Sequence, residues 1–205
     1  EPRNKFNGSR FFNFEVDLKI LTNSSSWRSL NAARIRNAHY GVPSQDNRPE
    51  RSWGCGPNSG ARSLLLLGFE NIDFDNFVAA CPKSWSLFAD VGPTPRQLAE
   101  YLHKRPGPYI VRAQFEDYFS DALASIKSSV DNDMPTIVLL IRTTRSMHYV
   151  NIIGYNNTEQ KIAVMDTDEV IYWLTYDDLK FWMDAGWHFL QLFWIDDFNV
   201  ITFKW

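Results

Sequence analysis

Residues 134–155 read MPTIVLLIRTTRSMHYVNIIGY, and the fold class follows from this segment. Two runs in it, Thr136–Ile141 and Tyr149–Tyr155, are rich in the β-branched and aromatic residues typical of strands. Asn156-Asn157 follows as a turn, so the second run is expected to continue into a hairpin. Short apolar or alternating runs predict further strands at 161–165, 170–173, 189–195 and 200–203, and an amphipathic helix at 177–183.

The chain before this segment has the periodicity of helices. Apolar residues at helical spacing predict four helices. The first begins near Pro57, and the other three cover 74–80, 94–102 and 119–130. Helices first and antiparallel strands later indicate an α+β domain. We therefore predict a single domain over residues 1–205, with a soft boundary between lobes near residue 50 or 133.

The N-terminal quarter has little regular pattern. Turn formers are frequent in it, so residues 1–50 are predicted to form an irregular N-terminal wrap, with 11–18 as a short strand or hydrophobic latch.

Composition excludes several classes of protein. With 44% hydrophobic and 22% charged residues, the 205-residue chain can bury a sizeable core and is not intrinsically disordered. A net charge of −3 without a basic run argues against nucleic acid as a partner. The apolar runs 64–67 and 137–141 are far shorter than the ~20 residues that span a bilayer, so no transmembrane segment is expected. The compartment, secreted or cytoplasmic, and the oligomeric state stay open.

Only two cysteines are present, Cys55 and Cys81. Without a Cys-x-x-Cys pair they predict neither a structural zinc site nor a disulfide framework. Cys55 stands in a Gly-Cys-Gly-Pro turn at a helix entrance, where unpaired N–H groups and the helix dipole favour a thiolate. Cys81 ends an apolar helix and is interpreted as a buried thiol.

A nucleophilic thiol needs a base, and four histidines are available: 39, 103, 148 and 188. His148 opens a strand whose core side chains would hold its backbone rigidly, so we select it as the base. Asp166 follows the strand 161–165. A hairpin brings that strand end back to the start of the first strand, so Asp166 is expected beside His148. Asp168 and Glu169 are the competing acids, interpreted as solvated turn residues.

Three segments carry a family resemblance: WGCGPNSGA at 53–61, HYVNIIGYN at 148–156 and VMD at 164–166. They resemble the papain-like cysteine peptidases, specifically the C39-like branch that includes the leader-peptide-cleaving domains of bacteriocin exporters. The resemblance covers roughly residues 43–175. It implies a helical lobe carrying the cysteine helix, packed on a twisted antiparallel sheet, with the substrate in the cleft between them.

The same resemblance implies an oxyanion donor, a glutamine a few residues before the cysteine. Gln45 is the candidate here, although it stands ten residues before Cys55 and an insertion over 47–51 would be needed to explain the spacing. A second departure is Asp166-Thr167, where the family often has Asp-Pro.

The expected function is hydrolysis of a peptide bond in a polypeptide substrate through Cys55, His148 and Asp166, with no metal or organic cofactor. Deamidation, transglutamination and acyl transfer use the same machinery and remain alternatives. A peptide-binding module without turnover is another, and so is a structural domain in which Cys55 is merely buried.

Overall fold

The computed structural model describes residues 13–45, 53–85, 90–143, 146–184 and 198–205. The helices in these ranges are α1 (Phe14–Asn23), α2 (Ala32–Gly41), α3 (Cys55–Leu66), α4 (Phe74–Ala80), α5 (Pro95–His103), α6 (Phe119–Asp131) and α7 (Tyr176–Met183). The strands are β1 (Arg28–Ser29), β2 (Ser84–Trp85), β3 (Asp90–Val91), β4 (Ile110–Glu116), β5 (Thr136–Thr143), β6 (Ser146–Asn156), β7 (Lys161–Met165), β8 (Ile171–Thr175) and β9 (Phe198–Lys204).

A single antiparallel sheet organises the molecule, with strand order β4-β9-β5-β6-β7-β8 and β1 paired to the end of β6. Its two faces are both buried. Along β6, Tyr149 and Ile153 join a core formed with α1 to α5, whereas Val150 and Ile152 join a second core formed with α6 and α7. The sheet thus has helices on both faces, and β2 and β3 form a separate small hairpin.

Helix α3 is buried over all twelve of its residues. It begins at Cys55, two residues earlier than predicted. Pro57 is tolerated there because the first-turn N–H groups have no partner within the helix. At the other end Gly68 adopts φ 94° and donates to the Leu65 carbonyl, while Phe69 donates to that of Leu64. This is a Schellman motif, which explains the glycine after an apolar helix.

The α+β class and the predicted elements at 74–80, 94–102, 119–130, 136–141, 149–155, 161–165, 170–173, 177–183 and 200–203 are confirmed, with bounds that differ from those of the structure by at most three residues. The strand predicted at 189–195 and His188 lie outside the described residues.

The irregular wrap predicted for residues 1–50 is wrong for residues 14–23 and 32–41, which form α1 and α2. Two asparagines cap the N-termini of these helices. The side chain of Asn13 accepts from the N–H of Val16 at 3.2 Å, and that of Asn31 accepts from Ala33 at 3.0 Å. The latch residues from 14 onward therefore lie in a helix and not in a strand.

Strand β4 was not predicted. It lies well before residue 134, pairs with β9 along its whole length and brings part of the helical half of the sequence into the sheet. In the described part of the chain no helix combines the length and the apolar character needed to cross a bilayer.

Candidate active site

Cys55 lies where the N-terminus of α3 meets the edge of β6. Strand β7 stops at Met165, opposite Asn151, so the next part of the β6 edge is open to α3. Both main-chain groups of Tyr149 turn to that helix. Its N–H donates to the Cys55 sulfur, and its carbonyl accepts from Ser59 Oγ at 3.0 Å.

The residue Cys55 is buried, with 8% of its surface exposed. Burial by itself raises the pKa of this thiol. The hydrogen bond and charge of His148, together with the N–H groups of Tyr149 and Gly56, lower the pKa by more than burial raises it. The net pKa therefore lies below that of an ordinary thiol. Among the described residues Cys81 has no partner of this kind apart from the charge of Arg105, and burial outweighs that charge and raises its pKa to about 12. The two cysteines thus have pKa shifts in opposite directions.

His148 pairs with Leu140 of β5, and its side chain lies between Cys55 and Asp166. Nε2 hydrogen bonds to Asp166 Oδ1, which leaves Nδ1 for the thiol. Burial alone would lower the pKa of the imidazole. The charge and hydrogen bond of Asp166, and then those of Cys55, outweigh it and raise the pKa above its usual value. Both shifts favour a thiolate–imidazolium pair.

Asp166 is fixed by the residue that follows it. Its Oδ1 accepts from the Thr167 N–H at 2.6 Å and from Thr167 Oγ1 at 3.2 Å. A proline at position 167 has neither donor, so the departure from Asp-Pro adds two hydrogen bonds to the carboxylate. Hydrogen bonds to the charged form keep a carboxylate ionised.

Gln45 is buried and belongs to the segment Val42-Pro43-Ser44-Gln45, the 42–45 loop, which follows α2. Its backbone N–H donates to the Thr167 carbonyl at 2.9 Å. The four residues selected from the sequence thus belong to one connected set of hydrogen bonds, which runs from Gln45 through Thr167 and Asp166 to His148 and Cys55.

The turn that carries Cys55 is covered by the segment Gly92-Pro93. A Cβ on Gly92 would lie 2.7 Å from the Trp53 carbonyl oxygen, and a Cβ on Gly56 would lie 2.8 Å from Pro93 Cγ. Tyr149 Oη also donates to the Pro93 carbonyl at 2.9 Å. The space beside Gly56 is therefore filled by protein, so this glycine is a packing requirement.

The other candidate acids and histidines in the described part of the chain are Asp168, Glu169, His39 and His103. Asp168 is half-buried and not solvated as expected, whereas Glu169 is exposed and has φ 64°. His39 stacks on Phe14 with ring centroids 3.5 Å apart, and burial with the nearby Arg62 charge lowers its pKa to about 4. His103 is exposed, and its Nδ1 accepts from the Val111 N–H.

Two polar residues of α3, Asn58 and Arg62, were not selected from the sequence. Both are buried, and they bind the end of α2 and the 42–45 loop. The signal available was an Asn and an Arg four residues apart on a helix otherwise made of small and apolar residues, a spacing that places them on one face.

No protein-family model matches this chain, and no curated protein matches it significantly. The resemblance to papain-like peptidases therefore rests on the residues of this chain and on their arrangement.

Proposed function

We propose that this protein is a papain-like cysteine peptidase of the C39-like kind, which hydrolyses a peptide bond of a polypeptide through a covalent acyl-enzyme. One observation carries the proposal: Cys55, His148 and Asp166 are joined in that order by side-chain hydrogen bonds at the N-terminus of a buried helix. A merely buried cysteine needs neither of the other two residues.

Each member has a defined step. The Cys55 thiolate attacks the carbonyl carbon, and the carbonyl π electrons move to oxygen. His148, as imidazolium, gives its Nδ1 proton to the leaving amine as the C–N bond breaks, which leaves a thioester on Cys55. The neutral imidazole then takes a proton from water, whose oxygen attacks the thioester and releases the acid and the thiolate. Asp166 holds the ring and stabilises its charge throughout.

The tetrahedral oxyanion requires donors. The N–H of Cys55 is the first of α3 and has no acceptor within the helix, so it is one candidate. The side-chain amide of Gln45 is the second, in the role that the family resemblance implies. The end of the 42–45 loop is tied by hydrogen bond to the residue after Asp166, which supports this assignment.

The acyl-enzyme does not dictate which nucleophile resolves it, so the test must distinguish the products. Candidate polypeptides are incubated with the protein and with Cys55→Ala, and their intact masses are compared. We expect two fragments whose masses add up to the substrate plus one water, from the wild type alone. An intact substrate whose mass has increased by the mass difference between a carboxylic acid and its amide would instead identify a deamidase. A substrate that carries an amine adduct would identify a transferase. Equal products with Cys55→Ala would contradict any role of this thiol.

A further inference from the structure

We infer that Asn58 and Arg62 are positioning residues that hold the 42–45 loop so that Gln45 reaches the oxyanion. This inference rests on the proposed function, and it adds to the triad a part of the machinery that lies inside α3 and touches no substrate.

Arg62 is the largest fully buried side chain of the described residues. Its Nη1 donates to the carbonyls of Ala38 at 2.8 Å and His39 at 3.2 Å, and its Nη2 donates to that of Val42 at 3.1 Å. These carbonyls belong to the last turn of α2 and its C-cap, where a helix leaves them unpaired and where its dipole favours a cation. Arg62 thus fixes the point at which the chain leaves α2 and enters the 42–45 loop.

Asn58 continues this contact one residue further along the loop. Its Oδ1 accepts from Arg62 Nε at 2.8 Å, and its Nδ2 donates to the Pro43 carbonyl at 2.9 Å. The backbone N–H of Asn58 donates to Gly54 at 2.9 Å, in the helical turn that contains Cys55. Through its backbone and its side chain, Asn58 therefore links the turn of the nucleophile to the loop two residues before Gln45.

The far end of the loop is held independently, because the Gln45 N–H donates to the Thr167 carbonyl. With α3 holding Val42 and Pro43 and the Asp166-Thr167 turn holding Gln45, four residues are fixed at both ends. The backbone that carries the Gln45 side chain is therefore held from both sides.

A protein with a well-packed apolar side chain of similar size at a buried position is often as stable as one with an arginine there, or more stable. Packing alone therefore does not explain the buried Arg62. Burial lowers the pKa of Arg62 only to about 10, with the charges of Glu169, Asp166 and Asp168 opposing the shift, so it remains a cation at neutral pH. Its guanidinium is used for directed hydrogen bonds to carbonyls at fixed positions, as positioning requires.

The test compares two probes that differ in one requirement. p-Nitrophenyl acetate acylates a thiolate through a tetrahedral oxyanion, whereas iodoacetamide alkylates it by displacement at a saturated carbon and forms no oxyanion. In Asn58→Ala we expect acetylation of Cys55 to slow about tenfold or more, with alkylation changed less than about twofold. Asn58→Ser is a second variant in case the alanine does not fold.

Ser63→Ala is the matched control. Ser63 is equally buried in α3, but its Oγ accepts from Asn151 Nδ2 of β6 at 2.7 Å. The control should lose a similar amount of stability and keep both reaction rates. In a Gln45→Ala background, Asn58→Ala should slow acetylation little further, because the loop then has no donor to position.

The outcomes are distinguishable. A wild type in which Cys55 reacts with neither probe contradicts the proposed function, and this inference with it. A wild type that reacts with both, combined with Asn58→Ala behaving like Ser63→Ala or slowing both probes equally, overturns the positioning role and leaves the triad intact.

Discussion

Asp166 meets His148 because strand β6 carries one extra residue. From the turn inward, Asn156 pairs with Lys161 and Gly154 with Ala163. Continued without interruption, this register would set Asp166 opposite Asn151, whose side chain points to α3. A bulge between Ile152 and Gly154 shifts the pairing so that Asn151 lies opposite Met165.

Extended by one residue beyond the last pair, the shifted register would set Asp166 opposite Val150, on the face of β6 that also carries His148. Side chains alternate along a strand, so a shift of one residue exchanges the faces. The bulge thus decides whether the carboxylate and the imidazole share a side of the sheet.

Ionisation of the site gives the first prediction. The lowered pKa of Cys55 and the raised pKa of His148 define a pH window in which the thiolate–imidazolium pair exists. The window opens as pH rises through the pKa of Cys55 and closes as pH rises through the pKa of His148. Asp166→Asn removes the charge that raises the imidazole pKa, so the closing limb moves to lower pH. Since the thiolate then has a weaker cationic partner, the opening limb moves to higher pH, and the window narrows from both sides.

Two spectroscopic titrations measure this window. Thiolate absorbance in the ultraviolet, taken as the difference from Cys55→Ala, reports the opening limb, and NMR of the His148 ring reports the closing limb. A wild-type thiol that titrates at the ordinary value of 9.0 would contradict the ion pair.

Two glycines of α3 give a matched pair for the second prediction. In Gly56→Ala the new Cβ meets the Pro93 ring at 2.8 Å and 3.1 Å, so the N-terminus of the helix or the covering segment must shift. We expect a loss of about 1–3 kcal/mol in the free energy of unfolding and a fall of about tenfold or more in acetylation of Cys55.

Gly60→Ala is the control, because its Cβ would meet no atom closer than 3.2 Å, the nearest being Leu102 Cδ2 at the end of a flexible side chain. Helix propensity offsets this contact by roughly 0.5–1 kcal/mol, so stability and reaction rate should stay close to those of the wild type. Equal behaviour of the two variants would show that the Gly56 contact with Pro93 does not position the nucleophile.

The third prediction concerns the C-terminal end of α3. A Cβ on Gly68 would meet no atom within 4 Å, so Gly68→Ala introduces no clash, but φ 94° is strained for any L side chain. The variant should lose about 1–2 kcal/mol in denaturant unfolding and keep the reactivity of Cys55. A variant as stable as the wild type would mean that the turn after α3 relaxes at no cost.

The sequence predicted the relative placement of Cys55, His148 and Asp166 better than it predicted the helices and strands around them. Chemistry-bearing residues were few, so Cys55 and His148 followed from their flanking residues, and the Asn156-Asn157 turn indicated that Asp166 returns to the same end of the hairpin. The bulge was not predictable from the turn. Its one signal is Gly154, an isolated strand glycine, and that residue is also explained by the close approach of β1, since its Cβ would lie 2.7 Å from the Arg28 carbonyl oxygen.

Helix α2 and strand β4, which the sequence did not predict, depend on contacts between residues far apart in the chain. Helix α2 is short and weakly amphipathic, and its last carbonyls are paired by Arg62 from another helix. Strand β4 exists because β9, more than eighty residues later, supplies its partner. Neither contact leaves a local pattern in the sequence.

Transient acetylation by p-nitrophenyl acetate is the sharpest check that Cys55 is a nucleophile activated by His148. The protein is quenched during the first turnover, and its intact mass and peptides are analysed for the wild type, His148→Ala and Cys81→Ser. We predict one acetyl group on Cys55 in the wild type and in Cys81→Ser. In His148→Ala we predict that acetylation is slower than in the wild type by about a hundredfold or more. Acetylation of Cys81 in place of Cys55, or an equal rate in His148→Ala, would contradict the account.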